Sequence, residues 1–385
     1  MGEPRQPRLR GFGTTIFTEM SVLAARTGAI NLGQGFPDTD GPEEVAEAAV
    51  AAIRAGVNQY PPLPGLPELR EAVAAHQKRF YGLTVDPDRE VQVTVGATEA
   101  IAASLLALCD TGDEVVTLDP SYDSYSACIA MAGATKRVVK LRAPDLVLDV
   151  DELRAAVTDR TRLVLLNTPH NPTGKVLTED ELAAVAAVAV EHDLVVVTDE
   201  VYEHLVFDGR HVPLATLPGM GDRTITISSA GKTFSFTGWK VGWLCGPEEL
   251  VAAVRTAKQF LTFAGGGPFQ RAAAVGLGLG DRYYDDLRAD LLAKRDLLCD
   301  GLERAGFAVI RPQGTYFANA DVRSLGFDDG VEFCRVLPER AGVVAIPSAV
   351  FHDDPGDARS LVRFAFCKRP EVLQEAVDRL QAAFG

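Results

Sequence analysis

No two of the six cysteines, at 109, 128, 245, 299, 334 and 367, form a Cys-x-x-Cys pair, and no Cys/His cluster has zinc spacing. That excludes a zinc ribbon and a dithiol redox motif. The scatter is that of buried free thiols kept in a reducing compartment. Basic charge is scarce. Against 53 Asp and Glu stand 38 Lys and Arg, a net charge of −15. So acidic a surface repels nucleic-acid phosphates and anionic lipid, and neither is expected as a partner. Long apolar runs are also missing. The longest, Leu182 to Val190, falls far short of the ~20 residues that cross a bilayer. The opening MGEPRQPRLRGFG has arginines with no apolar stretch behind them, unlike a secretory signal. A soluble cytoplasmic protein is the expectation.

What is present is enough for a large core: 385 residues, 47% hydrophobic and 24% charged. The first 40 residues read as an irregular, Gly-rich arm that packs on something, with INLGQGFPDTDGP (30–42) dense in turn formers. A helix is predicted over 43–56, ending at Gly56, followed by a Pro/Gly loop at 58–70. Short apolar strands then alternate with helices. Strands are predicted at 91–95, 114–118, 162–167, 194–199, 224–229 and 241–246, and helices at 97–109, 121–133 and 179–193. That alternation implies a mostly parallel sheet covered on both faces. A long helix near 282–306 leads into a different pattern: strands at 307–310, 315–321, 343–346 and 361–366, and helices near 330–340 and 370–384. The expected division is an arm at 1–42 that joins the small domain, a large domain at 43–280, and a small α+β domain at 281–385.

Polar residues fall where the predicted strands end, and in an open α/β sheet ligands bind there. Gly96, Ala97 and Thr98 follow a strand and open a helix, whose free N–H groups and dipole suit a phosphate; a plain strand-to-helix turn is the alternative. Asn171, held extended before Pro172, has an amide that could donate to a ring oxygen, or else makes an Asx turn. Asp199 ends the apolar run LVVVT, where a carboxylate needs a partner. A protonated ring nitrogen would serve, and Tyr202, three residues on, could reach a ring hydroxyl. A helix cap is the other reading for Asp199, although Val201 and Tyr202 are weak helix formers. Lys232, in SSAGKTFSFTGWK (228–240), is flanked by Ala230, Gly231 and Phe234, an apolar setting that lowers a lysine pKa; an exposed loop lysine is the alternative. Lys240 follows eight positions later. Arg363, inside LVRFAF, calls for a bidentate carboxylate, from a substrate or from a structural ion pair.

Taken together in this order, these residues carry a resemblance. NTPHNPTG (167–174), DEVY (199–202), SSAGKTFSFTGWKVGW (228–243) and RFAFCKR (363–369) resemble the class I PLP-dependent aminotransferases of fold type I, from about Thr14 to the C-terminus. The resemblance implies an α/β large domain, with a mostly parallel seven-stranded sheet covered by helices, plus a small α+β domain. It implies pyridoxal 5′-phosphate (PLP) as cofactor, no metal, an amino acid and a 2-oxo acid as substrates, and ping-pong transamination. Lys232 would be the Schiff-base lysine and proton carrier, with Asp199 on the ring nitrogen. Asn171 and Tyr202 would bind the ring oxygen, and Tyr122 would stack on the ring. Ala97, Thr98, Ser229 and Lys240 would hold the phosphate. Tyr60 would reach it across the interface of a homodimer. Arg363, Asn167 and the backbone at Gly35 would hold the substrate carboxylate. Within the family, GTTIFTEMSVLA (13–24), INLGQGFPDTDGP and GATEAI resemble a branch of kynurenine, glutamine, methionine and N-succinyldiaminopimelate transaminases. VNQYPPLPG, AGGGPFQ and FCKR look most like the last of these. The GGGPF stretch (265–269) departs from the bulkier or polar residues of relatives with methionine or kynurenine activity.

Overall fold

A computed structural model describes residues 7–9, 12–13 and 16–385. Residues 1–6, 10–11 and 14–15, which belong to the expected arm and to the motif at 13–24, lie outside the described residues. Seven strands form the main sheet, in the spatial order Val91–Val95, Val241–Cys245, Thr224–Ser229, Val195–Asp199, Thr161–Asn167, Glu114–Asp119, Thr135–Lys140. Val241–Cys245 runs antiparallel to both its neighbours, and the other pairs are parallel.

The apolar runs are continuous because both faces of the sheet are covered. Val116, Leu118, Val164, Leu166 and Val196 pack into one cluster, with Leu182 and Val185 of the helix Glu179–Glu191. Their neighbours Val115, Leu163, Leu165 and Val197 point the other way and pack with Ile101 and Leu105 of the helix Gly96–Leu108. Each fully buried Val or Leu contributes about 1.5–3 kcal/mol, so the sheet is a rigid platform for what sits at its edge.

The parallel strands end on one edge, at Asn167, Asp199 and Ser229. The antiparallel strand Val241–Cys245 begins on that same edge, with Val95 opposite Val241. This reversal brings Gly96 and Lys240 to the same place from opposite chain directions.

A second sheet is antiparallel, in the order Ile346–Pro347, Leu361–Ala365, Phe317–Asp321, Ala308–Ile310. It puts Arg363 opposite Asn319 on one side and Ile346 on the other. Four departures from the sequence reading are clear. The expected irregular arm contains a helix, Ile16–Thr27, because Met20 and Ala24, one helical turn apart, bury in a core cluster with Val343, Val344 and Phe364. The run expected as one strand at 343–346 is split: Val343–Val344 pairs in parallel with Ile30–Asn31, and Ile346–Pro347 pairs with Leu361–Ala365. The helix Pro67–Tyr81 begins inside the expected loop at 58–70, with Pro67 at its first position, which a helix start tolerates. The edge strand Thr135–Lys140 and the helices Glu248–Gln259 and Gly267–Leu277 were not predicted. The first opens with three polar residues in a row, Thr135, Lys136 and Arg137, and the last starts in the glycines of GGGPF, which hide a helix start.

Candidate active site

Every residue singled out from the sequence for cofactor or substrate binding, except Tyr60, lines one cavity of about 440 Å³ at the strand-end edge. Gly96 has φ +74, a conformation that favours glycine, and a Cβ there would lie 3.2 Å from Lys240 Nζ. The close approach lets the Lys240 side chain cross the start of the helix Gly96–Leu108. Lys240 is itself left-handed, φ 55, at the turn into its strand. The free N–H groups of Ala97 and Thr98, the Ser229 hydroxyl and the Lys240 ammonium thus converge on one corner. This donor set fits a phosphate.

Asp199 occupies the floor. Tyr125 donates to its Oδ2 at 2.6 Å, and the Val201 N–H donates to its Oδ1 at 3.3 Å. No helix follows Asp199, so it does not cap one. Burial pushes its pKa up to about 6, against the lowering effect of Tyr125. A carboxylate so desolvated gains most from a cation beside it, and a protonated ring nitrogen is one. Tyr202 is buried, which raises its pKa. Burial likewise pushes the Tyr122 hydroxyl up to about 12, so both phenols stay protonated donors at neutral pH.

Lys232 lies across the cavity in the short helix Ala230–Thr233. Its Nζ donates to the Tyr316 hydroxyl at 3.1 Å, and Tyr316 donates in turn to the Gly35 carbonyl at 2.6 Å. Burial, opposed by Cys367 and Asp199 and assisted by Lys240 and Arg363, lowers the Lys232 pKa. The neutral amine, the nucleophilic form, is thereby favoured.

Arg363 is only 2% exposed. Its Nη1 donates to Asn171 Oδ1 at 2.8 Å, and its Nη2 reaches the Gly33 carbonyl at 3.5 Å. Among the described residues its Nε has no partner. The guanidinium lies 3.9 Å from the Phe317 ring centroid and 4.5 Å from that of Phe351. Among the described residues no carboxylate forms an ion pair with it, so the structural ion-pair alternative is set aside. Burial lowers its pKa to about 10, which leaves it charged at neutral pH. Because it lines the cavity, this buried, charged fork would offer an incoming carboxylate a charge-assisted partner.

Asn167 is tied into the scaffold. Its Nδ2 donates to the Asp199 carbonyl at 2.8 Å, and its Oδ1 accepts from the Asn171 N–H at 2.6 Å. One amide hydrogen is left for a ligand. With its oxygen on Arg363, Asn171 turns its NH2 group to the cavity side. Tyr60 is 85% exposed and lies against Phe263, ring centroids 5.9 Å apart, outside this cavity. Sequence reasoning missed Tyr125 and Tyr316. Tyr125 is one helical turn beyond Tyr122 in PSYDSY, a spacing that puts both on one side; nothing local marks Tyr316, whose role depends on contacts with Lys232 and Gly35, far away in sequence.

The family model for aminotransferase class I and II matches residues 27–380. A probable N-succinyldiaminopimelate aminotransferase of Mycobacterium tuberculosis is 56% identical, over 97% of each chain. Methionine aminotransferase of Escherichia coli is 41% identical, over 98% of this chain and 97% of its own. The solved structure of N-succinyldiaminopimelate aminotransferase from Mycobacterium tuberculosis superposes with a TM-score of 0.97, covering 99% of this chain and 100% of that one. The family uses PLP, the cofactor whose phosphate, ring nitrogen and carbonyl the corner at Lys240, Asp199 and Lys232 would suit. By its match over most of its length and its identity to these enzymes, the chain belongs to the class I and II aminotransferases, and it is an aminotransferase.

Proposed function

We propose that this aminotransferase binds PLP on Lys232, takes N-succinyl-L,L-diaminopimelate as amino donor, and passes the amino group to 2-oxoglutarate or pyruvate. The observation that supports the reading of an amino-acid substrate is the buried Arg363 fork, which among the described residues has no carboxylate partner and lines the same cavity as Lys232. The choice of donor rests on the 56% identity to the mycobacterial enzyme, against 41% for the methionine aminotransferase.

The residues present fit the cofactor. The N–H groups of Ala97 and Thr98, with Ser229 and Lys240, would hold its phosphate. Asp199 would face the ring nitrogen, Asn171 and Tyr202 the ring oxygen, and Tyr122 the ring face. PLP, when bound, supplies the carbonyl that accepts the amino group and a sink for the electron pair left as a Cα proton departs. Arg363 grips the substrate α-carboxylate and so fixes which Cα bond faces Lys232. Lys232 Nζ takes the Cα proton as general base and, as general acid, would deliver it to the carbon that was the cofactor's carbonyl rather than back to Cα. The hydrogen bond to Tyr316 keeps that amine at one end of the cavity while the proton moves. Asp199 stays ionised beside the ring and helps keep a positive charge there.

A homodimer belongs to the same proposal. Tyr60 and Phe260, 85% and 80% exposed, sit on the outside of this chain, where Tyr60 could reach the phosphate corner of a second copy. The test of the donor is a panel of N-succinyl-L,L-diaminopimelate, methionine, glutamine and kynurenine against both acceptors, read as 2-oxo acid formed. The succinylated donor should lead by at least about tenfold in kcat/KM, a difference of ~1.4 kcal/mol. A lead for methionine or kynurenine would move the protein to that branch. Pyruvate and ammonia released from a β-substituted substrate with no acceptor would mark a lyase instead.

A further inference from the structure

A buried polar cluster behind the cavity floor has no part in the chemistry above. The turn that follows the strand Val195–Asp199 sends Asp199 and Tyr202 to the cavity and Glu203 away from it. Glu203 is 5% exposed. Its Oε1 accepts from Ser228 Oγ at 2.6 Å, and its Oε2 accepts from the Tyr81 hydroxyl at 2.6 Å. Burial raises its pKa, but His76, His204, Ser228 and Tyr81 more than offset this, and it stays a carboxylate below the usual range.

His76, Glu203 and His204 have the donor types of a metal site, with ligand atoms within 4.8 Å of one another. The geometry uses those donors otherwise. His76 Nε2 and His204 Nε2 are 2.8 Å apart, so one proton lies between them, and both Glu203 oxygens are already occupied. The cluster is a hydrogen-bonded anchor.

What it anchors is specific. The backbone ladder between the strands Val195–Asp199 and Thr224–Ser229 ends with Asp199 opposite Ile227, and the Glu200 N–H then bonds the Ile227 carbonyl at 2.8 Å. Past that point the chains diverge, one into Tyr202 and the other into Ser229 and Lys232. The Ser228–Glu203 bond continues the tie where the ladder stops. Tyr81, from the helix Pro67–Tyr81, fixes the other carboxylate oxygen. We propose that Glu203 is a positioning residue for transamination: its bond to Ser228 sets the placement of Asp199 and Tyr202 relative to Ser229 and Lys232, while its bond to Tyr81 ties the turn to the scaffold and serves stability. This rests on the PLP reading above. The tie has one end on the site and one end on the scaffold, so its two donors have different consequences. Misplacement of catalytic groups by ~1 Å costs on the order of 100-fold in rate.

The experiment compares Ser228→Ala, Tyr81→Phe and Glu203→Gln in the full-length enzyme. It measures kcat and donor KM per cofactor-loaded site, the PLP affinity of the stripped protein, and Tm. Ser228→Ala should lower kcat roughly 10- to 100-fold with donor KM within about twofold, and should weaken PLP binding by a similar step. Tyr81→Phe should lower Tm and leave kcat within about threefold of wild type. Glu203→Gln combined with Ser228→Ala should cost no more than the worse single change, because both cut the same tie. Should Glu203→Gln fail to fold, the contrast between Ser228→Ala and Tyr81→Phe decides. Unchanged kcat and PLP affinity in Ser228→Ala, or equal losses of kcat in Ser228→Ala and Tyr81→Phe, would overturn the proposal. A wild-type protein that takes up no PLP would sink the cofactor reading instead.

Discussion

Replacing Arg363 by lysine keeps the charge and removes the fork. Nη1 is committed to Asn171 at 2.8 Å, while among the described residues buried Nε has no partner and Nη2 has only a long contact to the Gly33 carbonyl at 3.5 Å. A substrate carboxylate that enters the cavity can therefore displace that long contact and bond to the guanidinium through Nη2. A lysine ammonium offers one point contact in that place and stacks less well on Phe317. One charge-assisted hydrogen bond contributes about 1.5–3 kcal/mol, so kcat/KM for an amino-acid donor should fall roughly 10- to 150-fold. The control is a donor amine of the same length with no carboxylate, followed as the cofactor absorbance change in the first half-reaction. That amine should react poorly with both proteins, and its rate should change by less than about threefold between them. Equal losses for both substrates would refute the assignment of Arg363 to the carboxylate, because a general disturbance of the site would then explain the effect. The PLP content of the variant, read from its visible absorbance, separates misfolding from lost recognition.

Asp199 gives a pH-dependent prediction for the cofactor-free protein. Burial lifts its pKa to about 6 in the fold, above the 3.8 of an unburied aspartate. Between those values the folded state holds a proton that the unfolded chain has lost, so the stabilising contribution is full below pH 3.8 and is lost as pH rises through about 6. Wild-type Tm relative to Asp199→Asn should therefore fall over that window; a rising difference would contradict the buried placement. Gly96→Ala puts a Cβ 3.2 Å from Lys240 Nζ at a φ of +74, and should cost about 1–2 kcal/mol of stability and weaken PLP binding. Unchanged cofactor affinity would show that the Lys240 approach is not needed. Lys232→Ala and Tyr60→Phe chains mixed as a hybrid dimer should regain activity, since one of the two sites then has both native residues. No recovery, with hybrid formation demonstrated, would argue against Tyr60 crossing between copies.

Much of this was legible because the chemistry falls at strand ends. Asn167, Asp199, Ser229 and Lys232 each follow a run whose apolar character marks a buried strand, so their shared edge follows from the α/β pattern. Arg363 was legible for the opposite reason, a guanidinium inside an apolar strand. The rest depends on contacts distant in sequence. Tyr316 meets Lys232 only because residues 84 positions apart are brought together by the fold, and Glu203 meets Ser228 and Tyr81 only after three elements pack together. The helix Ile16–Thr27 was obscured by surrounding glycines, and its two buried residues carry little periodic signal. The split of 343–346 between two sheets has no local signature, since Val343, Val344 and Ile346 are equally apolar.

The central claim is that Lys232 carries the cofactor. Borohydride reduction of the yellow protein fixes PLP to whichever amine holds it, and peptide mapping by mass spectrometry then locates the label. The account predicts one phosphopyridoxyl group per chain, on Lys232. A label on Lys240 or another lysine, or a protein that takes up PLP but yields no labelled peptide, would contradict it.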